Sequence, residues 1–333
     1  MREAPILTLE GVSKRFARRL DGAARFARWL GARSGEAVVH AVSGVNLAMM
    51  RGEVVGLVGE SGCGKSTLGK IVAGLCTVSE GRHLWYGQDT ALMNAALRRR
   101  QRLKVQMIFQ DPFSSLNPRL RIGQIVGEAP VAHGLVRSND VHAFVSELLA
   151  RVGLDPTRQR DFPHQFSGGQ KARIGIARAL AVEPEFLVCD EATSALDVSI
   201  QAQVLNLFMQ LREELQLTYL FISHDLAVVR HLCDRIFIMY LGRIVESAPT
   251  NELFERPNHP YTQGLLAQAP TLEVRKKVFV AIQGEIPSPF HPPTGCHFHP
   301  RCRYAMTRCV MESPVLKEIA PNRFSACHLN DER

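Results

Sequence analysis

At 333 residues, 46% hydrophobic and 22% charged, the chain has the length and balance of a globular protein of about two domains. No apolar run reaches the ~18 residues of a membrane span, and the opening Met1 to Pro5 lacks the apolar core of a secretory signal. Both argue against an embedded or exported chain and for one that stays in the cytosol. The net charge is 40 − 32 = +8, and residues 1–33 hold eight Lys or Arg against three acids; nucleic acid, an anionic membrane face or a plain solvated surface all suit that excess.

In chain order, Ile6 to Leu9 and Val38 to Leu47 read as strands. Between them, Phe16, Leu20, Ala23, Ala27 and Leu30 share one side of a 3.6-residue wheel, with Arg18, Arg25 and Arg28 opposite. That pattern predicts a basic amphipathic helix, suited to lipid head groups or to packing on its own domain; Trp29 interrupts the basic side. Val54 to Val58 forms an apolar strand that runs into a glycine-rich turn and a helix from about Lys65 to Leu75. Further apolar runs end in polar residues at Val105 to Phe109, Phe186 to Cys189 and Tyr219 to Ile222, with a helical pattern from Ile200 to Leu215. Buried parallel strands alternating with helices account for this order. Beyond about residue 250 prolines punctuate the chain, from Pro257 to Pro293, which places a domain boundary there.

Cys63, Cys76, Cys189 and Cys233 sit among apolar residues and read as small buried hydrophobes. Cys296, Cys302, Cys309 and Cys327 crowd the last 38 residues; in a reducing compartment this points to metal rather than disulfides. Four thiolates can close a tetrahedral zinc site or hold an iron-sulfur cluster, but the spacings match neither the zinc-knuckle nor the ferredoxin pattern, so the residues leave cluster, zinc and free thiols open.

Gly59-Glu60-Ser61-Gly62-Cys63-Gly64-Lys65-Ser66-Thr67 matches G-x-x-x-x-G-K-[ST] between a strand and a helix. Its glycines let backbone N–H groups wrap phosphates, Lys65 can reach the β- and γ-phosphates, and Ser66 can give a hydroxyl to Mg²⁺. Asp190 and Glu191 end the next apolar strand: Asp190 suits Mg²⁺ and Glu191 suits the base that polarises an attacking water. His224 follows another strand end, where open parallel sheets build their sites. Ser167, Gly168 and Gly169 open a second anion-binding helix start, more than a hundred residues after the first.

Taken in order, Gly59 to Thr67, Gln110, Phe166-Ser-Gly-Gly-Gln170, Asp190-Glu191, Ser194-Ala-Leu-Asp197 and His224 resemble the Walker A, Q-loop, signature, Walker B, D-loop and H-loop of ABC-type ATPases. The resemblance covers roughly residues 6 to 250 and implies an α/β P-loop NTPase fold: a RecA-like core, an antiparallel β subdomain and a helical signature subdomain over about 111–180. It implies ATP and Mg²⁺ as ligands, with Lys65, Ser66, Gln110, Asp190, Glu191 and His224 acting in cis and Ser66, Gln110 and Asp190 serving the metal. Two such domains associate head to tail in that family. Ser167, Gly168, Gly169, Gln170 and Asp197 are therefore expected to act on the partner's nucleotide, and Phe16 is expected to stack on adenine. Phe166 stands where the family most often has Leu.

His259-Pro-Tyr-Thr-Gln-Gly-Leu-Leu266, Gly284-Glu-Ile-Pro-Ser-Pro289 and Gly295-Cys-His-Phe-His-Pro-Arg-Cys302 resemble the C-terminal region of ATPases from dipeptide, oligopeptide and nickel importers. The segment from Ala17 to Ala37 resembles an insert in one of the two paired ATPase subunits of those systems. The resemblance implies a [4Fe-4S] cluster on the four late cysteines, its charge offset by Arg301, Arg303 and Arg308. It also implies a second, different ATPase chain, two membrane permease subunits contacting residues 111–165, an extracytoplasmic solute-binding protein further off, no nucleic acid, and residence on the cytoplasmic face of the membrane. Import of peptides is the expected activity, and nickel or another small solute is the alternative cargo. A soluble ABC protein acting on DNA or the ribosome is the other class, but this chain carries one uninterrupted motif set and no heptad run.

Overall fold

The computed structural model describes residues 4–17, 38–111, 115–268 and 282–331. The amphipathic segment expected within 16–33 lies almost wholly outside the described residues. So do residues 112–114 of the expected permease-facing stretch.

The first two strands, β1 (Leu7–Ala17) and β2 (Val38–Met49), pair antiparallel and are longer than the apolar residues alone mark. They are followed by β3 (Val54–Val58), α1 (Lys65–Val72), β4 (Glu80–Trp85), β5 (Gln88–Asp89), α2 (Ala95–Lys104) and β6 (Val105–Ile108). β1, β2, β4 and β5 form a four-stranded antiparallel sheet in the order β2-β1-β4-β5. Next come α3 (Ile122–Ala132), α4 (Val141–Arg151), α5 (Gly168–Leu180), β7 (Phe186–Asp190), α6 (Val198–Leu215), β8 (Thr218–Ile222), α7 (Leu226–Leu232), β9 (Arg235–Tyr240) and β10 (Arg243–Pro249). The chain ends with α8 (Thr250–Glu255), α9 (Pro260–Ala267), α10 (Thr307–Met311), β11 (Lys317–Ala320) and β12 (Arg323–Ser325). A second sheet of eight strands runs β11-β12-β10-β9-β3-β8-β7-β6, with β9, β3, β8, β7 and β6 parallel.

The central strands are apolar throughout because both faces are covered. Every residue of β3, β7 and β8 is buried. Alternate side chains leave opposite faces of a strand, and the core divides accordingly. Val54, Val58, Leu187, Cys189, Tyr219 and Phe221 belong to the core cluster shared with helices α3 to α6. Val55, Leu57, Phe186, Val188, Leu220 and Ile222 pack toward α1 and the antiparallel sheet. The sheet's parallel strands thus end side by side on one edge, and the polar residues after β3, β6, β7 and β8 emerge together there.

The chain beyond residue 250 adds β12 to the edge of β10, through Glu246 opposite Ser325 and Ser247 opposite Phe324, and β11 continues that sheet. Glu246 is buried at the joint and accepts the N–H groups of Asn258 and His259, both at 2.8 Å; burial raises its pKa despite these bonds. Of the four scattered cysteines, Cys63, Cys189 and Cys233 are buried as expected, whereas Cys76 is only half-buried. It follows Gly74 and Leu75 just past the end of α1, where the chain turns outward.

His83 on β4 and His259 before α9 are buried, and burial holds the pKa of each down at about 4 against the ordinary 6.5. Both are neutral in the fold and protonated in the unfolded chain below pH 6.5, so the unfolded state gains protons first and stability falls as pH drops. Thermal unfolding midpoints should therefore decline from about pH 6.5 downward toward the folded pKa values. His83→Gln should flatten that slope; a variant with an unchanged slope would contradict the assignment.

Candidate functional site

The phosphate loop spans the gap between β3 and α1, and its glycines are required by space rather than by flexibility alone. A Cβ on Gly64 would stand 2.1 Å from the Ala41 carbonyl oxygen, and its φ of +107° suits glycine. A Cβ on Gly59 would meet the Met239 oxygen at 2.2 Å. Cys63 anchors the loop from within: its N–H donates to the Glu60 oxygen and its own oxygen accepts the N–H of Gly242, at 3.3 and 2.8 Å. Ser61 and Gly62 form the exposed rim, and Thr67 is half-buried in the first turn of the helix.

Lys65 is 5% exposed, and its Nζ donates to the carbonyl oxygens of Gly59 at 2.7 Å and Glu60 at 2.9 Å. The ammonium thus folds over the loop that it would share with a phosphate. Ser66 Oγ donates to Asp190 Oδ1 at 3.0 Å, which joins the first helix turn to the end of β7. Asp190 is buried; desolvation raises its pKa, with the Glu191 charge adding to the effect. A buried carboxylate beside a hydroxyl, with its charge under-compensated, is the donor set that Mg²⁺ prefers, so these two residues fit the ion.

Glu191 follows Asp190 with φ +49°, an uncommon conformation that turns its side chain off the strand direction. Its N–H bonds the Ile222 oxygen at 2.9 Å, and the Ser194 N–H and hydroxyl close onto its carbonyl. Gln110 Nε2 donates to Glu191 Oε2 at 2.6 Å, and His224 Nδ1 lies 3.4 Å from Glu191 Oε1. The ends of β6, β7 and β8 therefore converge on one carboxylate. His224 is 62% exposed, which leaves its ring open to a ligand. Gln110 meets Glu191 directly, and the Ser66–Asp190 pair lies alongside on the same strand end.

The signature residues are built elsewhere. Ser167 caps α5: Gln170 N–H donates to its Oγ at 3.3 Å and Ser167 N–H donates to Gln170 Oε1 at 3.0 Å, a reciprocal box worth about 1 kcal/mol. The hydroxyl end of the cap remains exposed, Gly168 is half-exposed, and Gly169 is buried so closely that a Cβ there would meet Ile200 Cγ2 at 2.3 Å. Helix α5 packs on α3, α4, α6 and β6, while the phosphate-loop helix α1 packs on β2, β7 and β8. The two anion-binding helix starts stand on different neighbours. Asp197 begins α6 exposed and without a side-chain cap bond, next to Val198 at 83% exposure. Phe16, the expected adenine platform, is 44% exposed on β1 opposite Val39, with Lys14 Nζ 5.1 Å from its ring centroid.

Glu60 departs from the expected ligand role in its side chain and N–H. Its carboxylate is held by Arg301, and its N–H donates to Tyr261 Oη at 2.9 Å. Tyr261 and Arg301 were not legible as loop supports; the only hint was their place in motifs with no chemistry of their own. Arg301, expected to offset thiolate charge, is instead engaged by Glu60, and Arg308 pairs with Glu312 and Asp331. Burial raises the Cys302 pKa, and Arg303 lies close enough to oppose that rise only in part.

Cys296, Cys302, Cys309 and Cys327 line one hollow of about 10 Å³, with His299 and His328 at its margin. Burial raises the pKa of Cys296 and Cys302 and takes Cys327 up to about 11, and the neighbouring thiols add to each rise. The thiol donor set fits a soft metal. The hollow, however, is about one water-sized sphere, smaller than a four-iron cubane, and among the described residues no three His, Cys, Asp or Glu side chains stand in a coordinating arrangement. The geometry lends the expected [4Fe-4S] cluster no support.

A doubly covered parallel sheet, a phosphate loop and two adjacent carboxylates at the next strand end define a P-loop ATPase of the ABC class. Residues 42–194 match the ABC transporter family, and residues 245–309 match the oligopeptide/dipeptide transporter C-terminal region. The oligopeptide transport ATP-binding protein AppF of Bacillus subtilis is 50% identical over 87% of this chain and 90% of its own. A putative peptide import ATP-binding protein of Brucella ovis is 44% identical over 98% of both. Among solved structures, cbiO1 of Clostridium perfringens, part of an ABC transporter complex, superposes with TM-score 0.63 at 28% identity over 76% of this chain and 92% of its own. The ATP-binding cassette MJ0796, solved as a dimer in a post-hydrolysis state with ADP and Pi, gives 0.61 at 28% identity over 73% and 98%. The chain belongs to the ABC transporter ATP-binding family and carries the C-terminal region of its oligopeptide/dipeptide branch. It is an ATPase of that family.

Proposed function

We propose that this chain is the ATP-hydrolysing subunit of a peptide importer, in which ATP binding closes a head-to-tail pair of ATPase subunits and hydrolysis reopens it. The observation that carries this reading is the convergence of Gln110, Glu191 and His224 beside the Ser66–Asp190 pair. In this reading the loop N–H groups and Lys65 hold the phosphates, and Ser66 and Asp190, with Gln110 nearby, would hold Mg²⁺, which would supply neutralisation of phosphate charge. Glu191 accepts the proton of the attacking water. Gln110 and His224 each engage one Glu191 oxygen, so both orient the base; His224, largely exposed, also reaches toward the γ-phosphate. Ser167, Gly168, Gly169 and Gln170, with Asp197, complete the partner's site, which the exposed cap and exposed Asp197 support.

The second ATPase is a different, homologous chain, and the surface over residues 111–165, just after Gln110, receives the two permease subunits. No described helix is long and apolar enough to cross a membrane; in this reading the subunit sits peripherally on the cytoplasmic face, bound through those permeases, with a solute-binding protein on the far side. Peptides as cargo rest on the relatives' names and on the matching C-terminal region. The resemblance alone implies a [4Fe-4S] cluster on the four late cysteines, whose side chains would have to spread from their present hollow to hold it.

Co-purification from detergent-solubilised membranes, followed by reconstitution and peptide uptake, tests the reading. ATP-dependent peptide uptake with two permeases and a second ATPase is the expected result. Nickel uptake would replace the cargo, and ribosome or DNA association without membrane sedimentation would overturn the importer. Anaerobically purified protein should contain iron and absorb in the visible; colourless, iron-free protein removes the cluster.

A further inference from the structure

Glu60 is the second residue of the phosphate loop, yet its side chain faces away from the loop's interior and into the C-terminal extension. Arg301 takes both of its oxygens, Nη1 to Oε2 at 2.7 Å and Nη2 to Oε1 at 2.9 Å, a two-pronged pairing that fixes orientation as well as distance. The Arg301 side chain is 5% exposed, so water does little to loosen the pair. The same guanidinium reaches Tyr240 Oη at 3.4 Å, and Tyr261 Oη holds the Glu60 N–H. Tyr240 and Tyr261 pack with ring centroids 4.7 Å apart, and Phe298 packs against both. Glu60 is therefore gripped at its backbone and its carboxylate by residues distant in sequence.

The grip reaches the ligand end of the loop. The Gly59 carbonyl, in the same peptide unit as the Glu60 N–H, and the carbonyl of Glu60 itself both receive the Lys65 ammonium. Arg301 in turn ends the short helical turn His299–Arg301 and directly precedes Cys302, whose N–H bonds the His299 oxygen at 3.2 Å. A displacement at the four-cysteine hollow is thus one residue from the guanidinium, and the guanidinium is one side chain from the loop.

We infer that the C-terminal extension sets the geometry of the phosphate loop through the Arg301–Glu60 pair, so that Arg301 is a positioning residue for ATP binding and links nucleotide affinity to the four-cysteine segment. This deepens the ATP-site reading and rests on it. Arg301 acts by fixing Glu60, and through Glu60 the seat of Lys65.

The test is the dissociation constant of a fluorescent ATP analogue for the purified full chain, read beside kcat. Arg301→Ala should weaken binding ~10-fold or more, since breaking one partner of a buried pair leaves the other uncompensated, with kcat at saturating ATP changed far less. Arg301→Lys should rescue only in part, because a single ammonium cannot make the two-pronged contact. Glu60→Gln should weaken binding similarly, and the double variant should be no worse than either single one. Cys302→Ser with Cys309→Ser should shift affinity in the parent and not in Arg301→Ala. Wild-type affinity in Arg301→Ala, fold-changes that multiply in the double variant, or an equal cysteine effect in both backgrounds would each overturn the inference. If Arg301→Ala fails to fold by circular dichroism, Glu60→Gln and Arg301→Lys carry the same comparison. Lys65→Ala is the control: unchanged binding there would fault the ATP-site reading itself rather than the link.

Discussion

Glu191→Gln should retain ATP binding and slow hydrolysis by ~10²- to 10⁴-fold, the range that a positioned general base supplies. The substitution keeps the shape of the side chain and one oxygen for the Gln110 Nε2 contact of 2.6 Å, so the site should assemble as before. It removes the capacity to take a proton from water. Because the phosphate loop, Lys65 and Asp190 are untouched, nucleotide remains bound and the closed pair of subunits should persist. Gel filtration with ATP and Mg²⁺ measures that: an enlarged species stable for hours in the variant and transient in the parent. Equal hydrolysis rates in the two proteins would remove Glu191 as the base.

Ser167→Arg should abolish the contribution of this subunit to turnover while leaving ATP affinity of the isolated subunit intact. The Ser167 hydroxyl caps α5 through Gln170, and the α5 terminus is exposed, away from the elements that seat Lys65. An arginine there removes the cap, at about 1 kcal/mol, and blocks approach of a nucleotide held by the partner. Hydrolysis in the assembled transporter should fall at least ~10-fold, the loss expected when a transition-state contact is removed. Nucleotide titration of the separate subunit should be unchanged. A parallel loss of affinity there would mean that the signature serves its own subunit's site.

Much of the site was legible because its chemistry sits at strand ends marked by local pattern. The apolar runs of β3, β7 and β8 are buried on both faces, so hydrophobicity alone finds them. The residues after them, Lys65, Asp190, Glu191 and His224, could be read one by one. What the pattern does not carry is the pairing of those ends. Gln110 is uninformative as a lone amide, and it acquires meaning only when the parallel order β7 beside β6 sets it against Glu191. The short strands β4, β5, β11 and β12 were missed because their residues are largely polar or half-exposed, and their pairing depends on distant partners. Arg301 was misread for a related reason. Cys302 follows it directly, but its partner is 241 residues away, at the other end of an ion pair that no local spacing reveals.

The central claim is that an active site is complete only when two subunits meet. Initial ATPase rate per subunit, followed as the purified chain is diluted with and without the second ATPase, tests this most directly. The account predicts a specific rate that falls toward zero on dilution, recovers when the second ATPase is added, and fails to recover with Ser167→Arg in this chain. A constant, full specific rate for the lone monomer at every concentration would contradict it.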